Sequence, residues 1–278
     1  MKPLQPVIKW SGSKRTVASQ LGEFFLPAQT YYEPFVGGGA MMPFAKADKG
    51  KASDIIPELI ALWNEIKNNP EVVANEYEIR WNRLQNEGFQ VFYEVRDVFN
   101  STKNPLDFLF LTRTCLNGMI RYNNAGEFNN SLHLTRPGID PKRLAAIISQ
   151  WHNVVNKFSF LNVDYRECLE DVKKGDFMFL DPPYGGTKSR YTQTPFSLEE
   201  FYQTLDLLNS KGVNWMLTFD GSSGERNYSY APPEELYKST FKIKTGKSAF
   251  RKVIDKVQED IFESVYLNCL LYTSPSPR

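Results

Sequence analysis

Apolar positions along the chain fall into two rhythms. Short, nearly continuous apolar runs occur at Tyr31-Tyr32, Phe158-Ser159-Phe160-Leu161-Asn162-Val163, Phe177-Met178-Phe179-Leu180 and Trp215-Met216-Leu217-Thr218-Phe219. Each is bounded by polar or turn residues and predicts a buried strand. Between the last two, residues 198–208 carry a helical pattern. After Tyr31 comes a glycine turn, Gly37-Gly38-Gly39, with residues 40–47 as a helix start, the opening of a nucleotide-binding α/β unit. A longer helical pattern begins at Pro57 and continues to about Gln85, and a second covers about 89–100, with no strand between them. Residues 106–143 change character: the run Phe108-Leu109-Phe110-Leu111 and then Asn123-Asn124-Ala125-Gly126 predict a turn or hairpin. The pattern describes an α/β sheet split by a mostly helical insert.

Composition narrows the choices. With 278 residues, 41% hydrophobic and 23% charged, the chain can bury a sizeable core, and wholesale disorder is excluded. Lys plus Arg at 33 against Asp plus Glu at 32 gives a formal net charge of +1, so any nucleic-acid surface must be local. One candidate is the basic run of Lys238, Lys242, Lys244, Lys247, Arg251, Lys252 and Lys256, and another is the insert with Arg113, Arg121, Arg136, Lys142 and Arg143. Three dispersed cysteines and two histidines indicate neither a disulfide framework nor a zinc cluster, and no metal is expected. No apolar run approaches membrane-span length and no signal-peptide pattern opens the chain, so the expected location is cytoplasmic. Residues 271–278, rich in Pro and Ser, are taken as a disordered or non-native tail.

The most specific chemistry lies at Asp181-Pro182-Pro183-Tyr184, directly after a buried strand. Strand carboxyl ends face the ligand crevice of an open α/β sheet. Two prolines cannot continue a central strand and fix their own φ, so the carboxylate and the following carbonyls sit in a rigid loop. Such acceptors can take both hydrogens of an exocyclic amine while a tyrosine ring stacks on the flat base that carries it. The plainer reading is a strand-ending turn.

This segment resembles the catalytic motif of adenine-N6 DNA methyltransferases, and Glu33-Pro34-Phe35-Val36-Gly37-Gly38-Gly39 resembles their S-adenosylmethionine motif. Lys9-Trp10-Ser11-Gly12-Ser13-Lys14 is similar to the start of the Dam-like (D12) class. Ala52-Ser53-Asp54-Ile55 resembles its acidic ribose motif, and residues 121–129 resemble its DNA-recognition hairpin. The resemblance spans roughly residues 7–268 in matching order.

The resemblance implies a Rossmann-like S-adenosylmethionine-dependent sheet with an inserted, mostly helical target-recognition domain carrying a hairpin. Residues 1–56 and 155–270 would form the catalytic domain and 57–154 the recognition domain. The implied cofactor contacts are Trp10, Lys14 (toward the cofactor carboxylate), Phe35, Gly37, Gly39, Asp54 (on the ribose hydroxyls), Asp164 and Tyr165 (on the adenine side), and Asp181. Asp181, Pro182, Pro183 and Tyr184 would hold the target amine and base, flipped out of duplex DNA. Leu116 or Asn117 would fill the gap it leaves. Arg121 suits O6 and N7 of guanine; Lys9 and Met119 match base-contacting positions of GATC-recognising members, and Asn123 and Lys247 complete the expected DNA contacts.

After the hairpin, Asn130-Ser131-Leu132-His133-Leu134 lacks the proline-phenylalanine-glycine continuation of those members, leaving the target sequence open. The expectation is a monomeric enzyme of a restriction-modification or related system that acts on double-stranded DNA in a bacterial or phage-infected cell. Alternatives are an RNA adenine or protein glutamine methyltransferase and a catalytically lapsed DNA-binding homologue. A dinucleotide oxidoreductase is disfavoured because the glycine turn is not a full G-x-G-x-x-G.

Overall fold

A computed structural model describes residues 2–183, 196–223, 226–228, 231–247 and 260–270. The apolar runs become β1 (Tyr31–Glu33), β3 (Phe158–Leu161), β4 (Phe177–Leu180) and β5 (Asn214–Ser223), joined by β2 (Gly50–Ser53), β6 (Arg226–Tyr228), β7 (Ser239–Lys247) and β8 (Asp260–Leu267). The sheet order is β3-β2-β1-β4-β5-β8-β7, with β6 on β5. Strands β1 to β5 run parallel, and β6 to β8 pair antiparallel. Every residue of β1 and β4 is buried, which is why these segments show no alternation: helices cover both faces of a parallel sheet. From β1 the chain moves outward one way to β2 and β3, then returns to β4 and moves the other way. That reversal opens a crevice at the carboxyl ends of β1 and β4.

Five helices stand between β2 and β3: α2 (Pro57–Asn68), α3 (Pro70–Glu87), α4 (Gln90–Thr102), α5 (Pro105–Thr114) and α6 (Pro141–Val155). Four of them start with proline, whose missing N–H would have been unpaired there anyway. Asn104 and Asp140 add side-chain caps. Outside the insert lie α1 (Ala18–Glu23) and α7 (Leu198–Ser210), the latter close to the expected 198–208.

Three expectations need correction. The single helix from Pro57 to about Gln85 is two, because Pro70 pushes Asn69 out of the helical region (φ −137°, ψ 52°). Residues 40–47 form only a 3-10 turn, Met42–Phe44, with Pro43 inside it. The run Phe108–Leu111 is no part of a hairpin but the centre of α5, where every residue from Asp107 to Thr114 is buried.

One apolar core runs from the sheet into the insert. At the seam, Trp63 of α2 stacks on Phe160 of β3 with centroids 5.8 Å apart and meets Trp151 of α6 at 5.2 Å. Truncating such a buried ring typically costs about 3–5 kcal/mol, so the insert is fused to the sheet through its own hydrophobic contacts. The other sheet face packs α7 through Phe201, Leu205 and Leu208.

A strap at residues 4–10 ties the two parts further. Trp151 donates to the Gln5 carbonyl at 2.7 Å, Arg15 to that of Leu4, and the Arg113 guanidinium to those of Pro6 and Val7. No helix among the described residues is long and apolar enough to cross a membrane.

Candidate active site and nucleic-acid interface

The glycine turn after β1 is built for close approach. Gly37 (φ 45°) and Gly39 (φ 68°) lie in the left-handed region, which strains any residue with a Cβ. A Cβ on Gly37 would also stand 2.5 Å from the Trp10 indole nitrogen. The turn therefore seats Trp10 of the strap, a reason for glycine that lies in the protein itself. Trp63 donates to the Gly37 carbonyl at 3.0 Å, and the Gly37 N–H donates to Asp54 Oδ2 at 3.1 Å. Asp54, one residue past β2, accepts a second backbone N–H from Ile56 at 3.2 Å on Oδ1. Burial pushes its carboxyl up to about 6, against these N–H donors, which lower it. Asp54 thus braces the glycine turn with one oxygen and the entry to α2 with the other.

Asp181 follows β4 and is the centre of a charged cluster. Lys14 Nζ lies 2.8 Å from Asp181 Oδ1 and 2.8 Å from Glu263 Oε1. The Lys14 and Glu263 side chains are only 7% and 3% exposed, against 21% for Asp181. Thr218 of β5 donates to the same Asp181 Oδ1 at 3.0 Å. Both described contacts of Asp181 fall on Oδ1. Burial raises the Asp181 carboxyl to about 6, with Lys14 opposing the shift and the Glu263 charge adding to it. Lys14, expected against the cofactor carboxylate, lies between two protein carboxylates. Glu33, at the end of β1, accepts from Tyr31 at 2.8 Å, and burial pushes its carboxyl up to about 8.

Neither Thr218 nor Glu263 was singled out by motif reading. Glu263 did carry a signal: it shares the β8 alternation with Val265 and Leu267, both fully buried, so a charge occupies an apolar position and must find a partner.

On the other flank, Phe35 packs on Tyr165 with centroids 5.2 Å apart, and both meet Phe196 and Phe201. Burial raises the Tyr165 hydroxyl. Asp164 accepts from Arg166 Nε at 2.7 Å, and Arg166 also reaches Glu200 at 2.7 Å.

The expected recognition hairpin is a loosely paired excursion after α5, closed by isolated bridges Cys115↔Leu132 and Tyr122↔Phe128. At its base, buried Asn130 donates to the carbonyls of Leu116 and Met119 at 3.0 and 2.8 Å. This holds a tight bend with Asn117 left-handed (φ 57°) and leaves Leu116 46% and Met119 38% exposed. Lys9 lies against Gly118 of that bend, so the strap touches the glycine turn and the hairpin at neighbouring residues. Tyr122 donates to Glu58, in the first turn of α2, only four positions beyond Asp54.

Arg121 donates from Nε and Nη2 to the side chain and carbonyl of Asn129, at 2.8 and 3.0 Å. One edge of the guanidinium is thereby fixed, and the Nη1/Nη2 end still points donors outward. The Asn123 carboxamide closes the hairpin turn, accepting from Ala125 and Glu127 N–H and donating to the Glu127 carboxylate.

Arg113, read as part of a basic phosphate-binding face, is corrected: it is buried on α5 and serves the strap carbonyls. His133 closes a local turn, accepting from the Arg136 N–H at 3.1 Å. In the basic run, Lys242 and Lys244 sit on the exposed side of β7, Lys244 paired with Asp260 at 2.6 Å. Tyr184, the Lys247 side chain, Arg251, Lys252, Lys256 and the tail 271–278 lie outside the described residues.

The structure thus gathers Trp10, Lys14, Gly37, Gly39, Asp54 and Asp181 at the carboxyl ends of β1, β2 and β4. Lys9, Leu116, Asn117, Met119 and Arg121 form a second, adjoining group.

Against known proteins, a model of the D12 class of N6 adenine-specific DNA methyltransferases matches residues 10–251. The type II methyltransferase M1.LlaDCHI of Lactococcus lactis subsp. cremoris is 28% identical over 254 residues, covering 84% of this chain and 85% of that one. The type II methyltransferase M.MjaIII of Methanocaldococcus jannaschii is 29% identical over 304 residues, covering 95% and 99%. A DNA adenine methylase of Vibrio cholerae is 26% identical over 210 residues, 74% of each chain.

Proposed function

Because the chain belongs to the D12 class of N6 adenine-specific DNA methyltransferases, we propose that it methylates N6 of an adenine flipped out of duplex DNA, with S-adenosylmethionine as donor, at a short GATC-like site. The residues present fit that donor. Asp54 offers a carboxylate suited to a ribose diol, and Phe35 and Tyr165 offer apolar ring surface for an adenine. When bound, the cofactor supplies an electrophilic methyl group and needs no covalent enzyme intermediate.

The chain's own task is orientation and charge placement. The adenine amine's lone pair is delocalised into the ring. Asp181 Oδ2 and the Pro182 carbonyl would accept its two hydrogens and favour a more pyramidal, more nucleophilic nitrogen. Asp181 is suited to this because Lys14 and Thr218 both hold Oδ1. That one-sided fixation is the observation that carries the reading. The extra proton leaves after transfer, and an anionic Asp181 can take it. Tyr184 would stack on the extruded base, and Leu116 or Asn117 would enter the vacated stack. Arg121 would read a guanine with its outward end, Met119 would meet a thymine methyl, and Lys9, Asn123 and Lys247 would contact the DNA around them.

The test is transfer of labelled methyl from S-adenosylmethionine to unmethylated duplexes with and without GATC, followed by mapping of the modified bases. Label on adenine that disappears in Asp181→Ala supports the reading. Label on RNA or protein but on no duplex overturns it.

A further inference from the structure

The hairpin that carries Arg121 is closed by isolated bridges outside the sheet, and α4 supplies the support that a neighbouring strand would give. Tyr122 and Phe128 face each other across the hairpin. The bonds that close it come from the residues beside them, Asn123 N–H to the Glu127 carbonyl and Asn129 N–H to the Arg121 carbonyl, both 2.9 Å. In an antiparallel pair of this kind the facing residues turn their own N–H and C=O away from each other, so those of Phe128 point out of the hairpin and need a partner. Asn100, in the last turn of α4, takes both. Its Oδ1 accepts from the Phe128 N–H at 2.7 Å, and its Nδ2 donates to the Phe128 carbonyl at 3.1 Å. One carboxamide, with donor and acceptor side by side, replaces the edge of a third strand. Beside it, the Phe128 ring meets Phe99 of α4 edge-on at 6.1 Å, and Lys103 donates to the Gly126 carbonyl at 3.1 Å.

We propose that Asn100 is a positioning residue that determines specificity: by fixing the backbone of Phe128 it sets the place of the next residue, Asn129, and so the angle at which Arg121 presents its guanidinium to a base. The idea rests on the reading of Arg121 given above. The chain of contacts is short. Asn129 accepts from Arg121 Nε with its side chain at 2.8 Å and from Nη2 with its carbonyl at 3.0 Å, so a shift of the returning limb carries the guanidinium with it. A bidentate contact to guanine needs both donors in line with O6 and N7. Arg121 is exposed, whereas Asn100 projects from a helix whose Val91, Phe92, Val95 and Phe99 are buried. A reading side chain on a loop keeps its geometry when a packed helix holds that loop. The described bonds of Asn100 go to the hairpin rather than to the crevice, so methyl transfer on a saturating target should not depend on it.

The experiment compares kcat/KM of the full chain on duplexes that carry the target found by methylation mapping and every single-base replacement within it. The proteins are wild type, Asn100→Ala, Asn100→Asp, Arg121→Ala and the double variant with both alanines. In Asn100→Ala discrimination should fall about tenfold at the position that Arg121→Ala relaxes and stay within about twofold elsewhere, with kcat on the target retained. Asn100→Asp keeps the acceptor for the Phe128 N–H but loses the donor, and should fall between. The double variant should lose no more discrimination than Arg121→Ala, because both changes act through one contact. A lower melting temperature with discrimination intact, an equal relaxation at every position, or additive losses in the double variant would make Asn100 merely structural and overturn the proposal. Should Asn100→Ala not fold, Asn100→Asp decides by the same comparison. If Arg121→Ala relaxes no position, the assignment of Arg121 falls and the proposal with it. Wild type that modifies no duplex would instead overturn the DNA reading on which both stand.

Discussion

The crevice and the recognition hairpin adjoin one another yet are built by opposite means. In the crevice, Lys14, Asp181, Thr218 and Glu263 come from four distant parts of the chain and meet in a largely buried cluster where each charge is fixed by another. In the hairpin, Asn123, Glu127, Arg121 and Asn129 bond to near neighbours in sequence, the first three exposed and Asn129 half-buried, while Asn130 and Phe128 anchor the base. Preorganised charge in a water-poor site suits a reaction whose demand is orientation. Short-range polar bonds on an exposed bend suit a surface that meets variable base edges and can shift on contact.

The largest effect expected to set the two regions apart comes from Asp181→Asn. It should lower the single-turnover rate by roughly a thousandfold with duplex affinity nearly unchanged, as gel shift and rapid quench would show. A comparable loss of DNA binding would mean that the regions are not separable.

Glu33→Gln examines the buried charge of the crevice through stability. The folded value of Glu33, about 8, lies above its ordinary 4.5. Its stabilising contribution is therefore full below about 4.5 and is lost as pH rises through about 8. Calorimetric melting should find the variant more stable than wild type at about pH 8, by on the order of a few kcal/mol, with the gain gone at about pH 4.

Arg121→Ala should act on the hairpin alone. Discrimination against a guanine substitution in the target is expected to fall by about 1–3 kcal/mol, roughly five- to a hundred-and-fifty-fold in kcat/KM, with kcat on saturating target retained. A drop in kcat instead would tie the hairpin to the chemistry.

The smallest effect is a pH limb. Asp181 must be ionised to accept the amine hydrogens, and its value is raised to about 6. The kcat/KM, which reports the free enzyme, should fall about tenfold per unit below about 6, and more steeply where Asp54, also near 6, gains its proton too. Initial rates at low donor concentration across this range check it.

The parts of this design that are local are legible in the sequence. The glycine turn, Asp54 past its strand and Asp181 before two prolines announce themselves within a few residues, because the backbone demands and the chemistry share one segment. Partners supplied by topology are not. Glu263 and Thr218 come to Lys14 only when β8 and β5 are laid beside β4, and nothing local pairs Tyr122 with Glu58. Arg113 is buried although arginine is usually solvated, because it lies on α5, whose apolar run Phe108 to Leu111 the sequence pattern assigns to a turn or hairpin. The helix expected over 40–47 failed for a local reason, with left-handed Gly39 at its start and Pro43 inside it.

The strap at residues 4–10 has a consequence for the order of assembly. These residues are synthesised before their fixed points, Gly37, Arg113, Gly118 and Trp151. Long-range contacts of this kind form only after their loops close. The segment must wait, exposed, until α5 and α6 have left the ribosome, and its docking then secures the glycine turn and the hairpin together. A nascent chain halted before Trp151 should hold these residues open to protease, and one halted well beyond it should protect them.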